Sequence, residues 1–340
     1  MLKKISFAVL IVLLTISCSN KSRDKLPERK LLAATEIVAD SLFTSFPGIM
    51  RVNSKHLILL CPFDLTENFL RVYDRQSGEE ITRIGAIGQG PGEWITPQLA
   101  NIDNNKLVVY DPNLKQYIPV SSDNLYQDIS IYDLFRKIDI LNPLSFVYLD
   151  SNRYIVANYK EQYPFEMASN GRISSCGKYP FDANFSNASG RLQGNVIMHP
   201  QKKILIYATS SNPYLAMYSI KDDRLDLMWE NQFKPPQYSI VDNNLQWGDE
   251  QPDGVSDVAF TKDYIVCLVK DFKSEASGRD VKAAPKAIYV FDYNGRLIHI
   301  LDLPFHSIRL ASDAETNIFY SVALEPDYSI VEYDLSLKGL

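Results

Sequence analysis

Few side chains in this sequence have types and spacings that could do chemistry. The four histidines, His56, His199, His299 and His306, form no H-E-x-x-H and no i, i+4 pair, so their spacing builds no zinc site. His199 stands out because it follows a short apolar run, Val196 to Met198, and precedes Pro200. It either faces a central channel or closes a turn. Asp103, Asp150 and Asp313 recur at equivalent turns. Carboxylates repeated in that way either ring a channel mouth and hold a hard cation, or cap turns through their side-chain oxygens. No G-x-S-x-G occurs, which excludes the α/β-hydrolase nucleophile.

The densest pattern is Gly85-Ala-Ile-Gly-Gln-Gly-Pro-Gly-Glu-Trp94, with four of the fifteen glycines inside eight residues. Glycine so concentrated marks backbone that bends sharply or lies against other backbone. A phosphate-binding loop would continue into Gly-Lys-Ser/Thr, and a dinucleotide fingerprint into a helix; neither follows here. Gly88, Gly90, Pro91, Gly92 and Glu93 are therefore expected to shape a tight crossover between two structural units. Trp94 is expected either to wedge those units or to reach a partner.

The elements that must position these residues are short strands. Six apolar runs recur, beginning at His56, Lys106, Arg153, Lys203, Asp263 and Asn317, at spacings of 50, 47, 50, 60 and 54 residues. Most are preceded by a polar turn and, before that, by another short apolar stretch. Most are followed by an alternating pair joined by a turn, such as Ala287–Phe291 and Leu297–Leu301 across Asn294-Gly295. Asn-Gly between apolar runs is a strong hairpin signal. Each unit is thus four antiparallel strands, A to D, and four-stranded units at this period are propeller blades. The pattern predicts an all-β, six-bladed propeller over residues 35–340. The last unit has no room for its fourth strand, and Glu36-Ile-Val-Ala39 has no partner in the first. We expect that N-terminal strand to complete the last blade and close the ring, which removes an exposed edge.

Ahead of the propeller lie a signal and a tether. Lys3 and Lys4 precede an apolar stretch, Ile5 to Ile16, too short to span a bilayer but suited to a signal-peptide core over residues 1–17. Leu14-Thr15-Ile16-Ser17-Cys18 resembles a relaxed lipobox, with Thr15 where leucine is usual; it implies lipid attachment at Cys18 and an anchor in the bilayer. Residues 18–34, polar and basic at first, are expected to form a flexible tether. Cys61, Cys176 and Cys267 leave an odd count with no C-x-x-C, so no disulfide framework is expected. A net charge of −6 without a basic patch argues against a nucleic-acid partner.

Six blades, the lipobox and the stretch from Gly88 to Trp94, which matches a G-x-G-P-G-E-aromatic pattern, together resemble the TolB-like six-bladed propeller lipoproteins of Gram-negative envelopes, and more distantly the NHL-repeat propellers. The resemblance implies a lipid-anchored protein of the cell envelope, expected at the outer membrane. It implies no particular activity or cofactor.

Loop lengths carry the functional expectation. Antiparallel strands put A–B and C–D turns on one face, and B–C loops and blade-to-blade crossovers on the other. The long connections assigned from the sequence fall on that second face and carry Phe63, Trp94, Tyr163, Tyr238 and Trp247, beside Asp249, Glu250 and Asp253. Aromatic residues on long loops of a rigid scaffold suit recognition of a protein, peptide or glycan, or simply pack beneath their own loops. A non-catalytic binding module is the first expectation. The alternative is an NHL- or lactonase-like enzyme with a divalent cation in the channel. Asn184-Phe-Ser186 and Asn187-Ala-Ser189 match the glycosylation pattern, which a bacterial lipoprotein would rarely use.

Overall fold

The computed structural model describes residues 26–39, 42, 46–63, 68–102, 106–121, 135–160, 162–181, 185–272 and 280–336. Cys18, the signal segment, Asp103 and Asn184 lie outside the described residues.

Two strands precede the first blade: β1 (Arg29–Leu31) and β2 (Glu36–Ala39). Blade 1 comprises β3 (Met50–Val52), β4 (His56–Leu60), β5 (Asn68–Asp74) and β6 (Glu80–Ala86). Blade 2 comprises β7 (Gln98–Ile102), β8 (Lys106–Asp111), β9 (Gln116–Ser121) and a two-residue β10 (Arg136–Lys137). Blade 3 is β11 (Ser145–Asp150), β12 (Arg153–Ala157), β13 (Phe165–Ser169) and β14 (Arg172–Cys176). Blade 4 is β15 (Gly194–Met198), β16 (Ile204–Thr209), β17 (Tyr214–Lys221) and β18 (Arg224–Gln232), followed by a separate hairpin of β19 (Tyr238–Val241) and β20 (Asn244–Trp247). Blade 5 is β21 (Val255–Phe260), β22 (Tyr264–Val269), β23 (Ala287–Asp292) and β24 (Leu297–Asp302). Blade 6 is β25 (Ser307–Ala311), β26 (Ile318–Ala323) and β27 (Ser329–Asp334), with β2 as its outer strand.

The apolar runs seen in the sequence are the B strands, each starting within one residue of the expected position. They are continuously apolar because both faces of a B strand pack against neighbouring blades; in β4 every residue is buried. Outer strands see water on one side and are far less buried, as in β6 and β18. The core is divided into one cluster per blade junction. Ile58, Trp94 and Val109 sit between blades 1 and 2, for example, and Phe319, Val290 and Tyr333 between blades 5 and 6. Cys267 is a buried B-strand thiol, Cys61 is buried just after β4, and Cys61, Cys176 and Cys267 are all free.

The ring closes as expected. β2 pairs antiparallel with β27, Glu36 opposite Glu332 and Ile37 opposite Val331. Arg75, in the C–D turn of blade 1, ties the same junction by donating to the Tyr320 hydroxyl at 2.8 Å and to the carboxylate of Asp313.

Two expectations need correction. The tether does not extend to residue 34. β1 pairs in parallel with β24 as a fifth strand on blade 5, Arg29 opposite Ile300 and Leu31 opposite Asp302. Arg29 donates to both Asp302 and Asp271, and Leu32 is buried in the core between blades 5 and 6. The apolar side chain of Leu32 and the guanidinium of Arg29 hold this segment in place. Nor do all long connections share one face. β9 ends beside Lys106, on the side of the A–B turns, so the connection to β10 leaves from the short-turn face.

Candidate binding face

The glycine-rich loop after β6 folds back on itself. Trp94 N–H donates to Ala86 O at 2.9 Å, and Gly88 N–H to Trp94 O at 3.0 Å. The Glu93 carboxylate turns inward and accepts the Gly90 N–H at 2.6 Å. Gly92 has a φ of +81°, a conformation that favours glycine, and a Cβ on Gly88 would lie 2.0 Å from Glu93 Oε2, so a larger residue there would displace that carboxylate. The loop's own carboxylate therefore occupies the position at which an anion would be cradled. Pro91 is exposed at its tip. Trp94 is 0 % exposed, its ring edge-on to Phe69 at 5.8 Å and Phe135 at 5.2 Å. It wedges blades 1 and 2 and does not belong to an exposed binding face, because burial of the whole indole between two blades leaves no surface for a partner.

The remaining aromatic residues fall into separate groups. The β19–β20 hairpin turns through Asp242 and Asn243, both at positive φ, as a two-residue hairpin turn of this hand requires. Asn187, at the start of the short helix α1 (Ala188–Arg191), holds the hairpin down: its side chain donates to Leu245 O at 3.0 Å and accepts from Leu245 N–H at 2.9 Å. That position of the glycosylation pattern is thus engaged in tertiary bonds. On the hairpin, Tyr238 is exposed and lies 4.7 Å from the ring of Phe181; Trp247 is half-buried and edge-on to Tyr238 at 6.4 Å. Ile240 and Val241 are exposed beside them. Tyr163 is exposed on the β12–β13 loop, apart from this triad. Phe63 is 69 % exposed and borders a second apolar cluster with Phe46 and Ile95, around a groove of about 240 Å³ floored by Arg309, Gln98 and Gly48.

The central channel is lined by the inner strands of all six blades and encloses only about 50 Å³, room for water but not for a sugar or peptide. Its wall is mostly apolar, with a polar belt on the loop side. There, a side chain of one blade reaches the backbone of the next at four successive junctions. Asn195 donates to Val255 O at 3.1 Å, and Asp257 accepts from Leu310 N–H at 2.9 Å. Arg309 donates to Gly48 O at 2.8 Å, and Arg51 to Ala100 O at 2.6 Å. Burial raises the pKa of the Asp257 carboxyl, against the attraction of Arg309 and Arg51, and burial lowers that of Arg51. Both side chains lie deep in the molecule yet keep part of their surface open to the channel.

Of the residues singled out by spacing, His199, Asp150 and Asp313 serve turns. Asn53 Oδ1 accepts from Lys55 and His56 N–H, Asp150 Oδ1 from Asn152 N–H, and Asp313 Oδ1 from Glu315 N–H. His199 takes the same place in blade 4, with Nδ1 accepting from Gln201 and Lys202 N–H, each at 3.1 Å. The ring is 1 % exposed and packs on Phe260 at 5.0 Å. Burial first, and Lys202 second, lower its pKa to about 4. Among the described residues no group of three His, Cys, Asp or Glu side chains converges as metal ligands do.

Loop arithmetic missed Phe181, Phe46 and the Arg51, Asp257 and Arg309 set. The last had a signal: a charge inside a short inner strand, in Met50-Arg-Val52, Val255-Ser-Asp257 and Ser307-Ile-Arg309, whose other side chains are mostly apolar.

The sequence matches a TolB-like 6-blade propeller-like family over residues 27–308. No curated protein matches the chain. Among solved structures it is similar to a member of the DUF4221 family from Bacteroides vulgatus, with 10% identity, a TM-score of 0.57, and coverage of 91% of this chain and 96% of that one. It is also similar to a provisionally named exported protein from Bacteroides fragilis, with 12% identity, a TM-score of 0.57, and coverage of 91% and 98%. A calcium-binding protein, regucalcin, from Agrobacterium tumefaciens has 10% identity and a TM-score of 0.52, with coverage of 91% and 95%. At such identities the likeness is one of fold.

Proposed function

We propose that this chain, which belongs to the TolB-like six-bladed propeller family, is a cell-envelope lipoprotein anchored through Cys18 that acts as a non-catalytic binding module. Its ligand is a protein, peptide or glycan held on the loop face. The observation that supports this most is the Phe181, Tyr238 and Trp247 triad. Tyr238 and Trp247 stand on a hairpin inserted between blades 4 and 5, with exposed Ile240 beside them, and Phe181 packs against both from the connection between blades 3 and 4. Aromatic anchors beside polar groups on a rigid scaffold are the usual basis of such recognition. A channel of about 50 Å³ turns attention from the axis to the surface.

The test replaces both anchors, Tyr238→Ala and Trp247→Ala, and compares capture from envelope extracts by the two proteins. The variant should keep its circular dichroism and lose at least one component that the parent retains. Identical capture would sink the assignment of this face. The lactonase-like alternative predicts stoichiometric calcium or zinc and a lower melting temperature with chelator. The binding-module reading predicts that chelator leaves the melting temperature unchanged.

A further inference from the structure

Where the channel opens on the loop face, charge and shape combine in a way the aromatic triad does not use. Two guanidiniums, Arg51 and Arg309, face one carboxyl, Asp257, from adjoining blades. Each arginine spends Nε and Nη1 on backbone carbonyls: Arg309 on Gly48 O and Ile308 O, Arg51 on Ala100 O and Met50 O. Asp257 is engaged by the backbone N–H groups of Val258 and Leu310, at 2.8 and 2.9 Å. Among the described residues, neither arginine forms an ion pair, and the Nη2 groups have no hydrogen-bond acceptor. The mouth therefore carries excess positive charge in a protein whose net charge is −6, and a low-dielectric cleft focuses such a field.

Arg309 also floors the groove of about 240 Å³ between blades 6, 1 and 2. Phe46 lies over its guanidinium, Cζ being 5.9 Å from the ring centroid, and Phe63 and Ile95 form the exposed rim. Gln98 lines the same groove with a side-chain amide suited to a peptide bond, while Thr96 beside it is engaged by Asp111. A site of this size takes one large side chain, and its charge calls for an anion beside that side chain.

We infer that this groove takes the C-terminal end of a peptide, its last apolar side chain between Phe46, Phe63 and Ile95 and its carboxylate on Arg309. The inference rests on the loop face being the binding face and narrows it to a peptide carboxylate.

The experiment titrates the full chain with acetyl-Gly-Phe as the free acid, acetyl-Gly-Phe amide, and decanoate, by NMR or calorimetry at millimolar ligand. The free acid should bind. Amidation, or Arg309→Gln, should each weaken it about tenfold or more, the loss of one charge-assisted contact. Phe63→Ala, an exposed position that leaves folding intact, should weaken it several-fold. Equal binding of acid and amide, no binding of the acid, unchanged binding to Phe63→Ala, or binding of decanoate alone would each overturn the assignment. The two readings separate cleanly. Extract capture lost in the Tyr238→Ala, Trp247→Ala variant with no peptide titration would remove the groove inference and keep the binding face. Unchanged capture would remove the face reading itself.

Discussion

Replacing His199 by asparagine should remove a defined part of the acid sensitivity of this propeller. The imidazole is held at a pKa of about 4, against an ordinary 6.5, because its cation would be buried against Phe260 and near Lys202. As pH falls below 6.5 the unfolded chain takes up this proton and the folded one does not. Stability therefore declines with falling pH until the folded pKa is reached. Two and a half pH units at about 1.36 kcal/mol each set a ceiling of roughly 3 kcal/mol. The ring lies close beneath the surface, where solvent screens part of the penalty, so about 1–2 kcal/mol between pH 7 and pH 4.5 is the working figure. The His199→Asn variant would keep the turn, because the new side-chain oxygen can accept the Gln201 and Lys202 N–H bonds as Asn53 accepts its own pair in blade 1. Loss of the ring from Phe260 and Tyr293 leaves a cavity and lowers stability by a similar amount at every pH. Urea midpoints, followed by tryptophan fluorescence for both proteins from pH 7 to pH 4.5, measure the difference. Carboxylates common to both cancel. The variant should lose about 1–2 kcal/mol less over this range. Parallel decline of the two proteins would refute the reasoning.

Trp94→Ala should cost about 3–5 kcal/mol, since it empties the largest side chain from the junction of blades 1 and 2; a urea midpoint within error of the parent would contradict the wedge. Deleting residues 35–41 removes the strand that closes blade 6 and leaves β27 as an open edge. The melting temperature should fall and the transition broaden in calorimetry, and cooperative unfolding at an unchanged temperature would dismiss ring closure as a source of stability.

The architecture was legible because B strands are buried on both sides and so announce themselves as unbroken apolar runs; Leu57 to Leu60 needs no partner sequence to be recognised. The closing strand was legible by counting, since a blade lacking its fourth strand and an orphan strand imply each other. β1 was not, because Arg29-Lys-Leu31 has no periodicity and is fixed by tertiary pairs, Arg29 with Asp271 and Asp302. The site was harder. Position on a long loop does not say whether an aromatic ring points in or out. Trp94 and Tyr238 look alike in sequence, and only the packing of Phe69 and Phe135 against the first separates them. His199 looks unusual by type yet fills the place of an asparagine. The charges that matter at the channel mouth sit in strands, where loop arithmetic does not look.

The direction of β1 bears on how the molecule carries force. β1 runs parallel to β24, which ascends from the short-turn side to the loop side, so the chain upstream of Arg29 leaves toward the short turns of blade 5. Tension on a lipid anchor at Cys18, as proposed, would pull along β1 and load its bonds to β24 in shear. Arg29, clamped between Asp271 and Asp302, adds two charged ties on the same line. The closing strand β2 lies downstream of this clamp. Under that proposal, tension on the anchor would load the flank of blade 5 before it reached the strand that closes the ring. With Cys18 lipidated as proposed, the loop face would lie on the far side of the molecule from the end at which β1 enters blade 5.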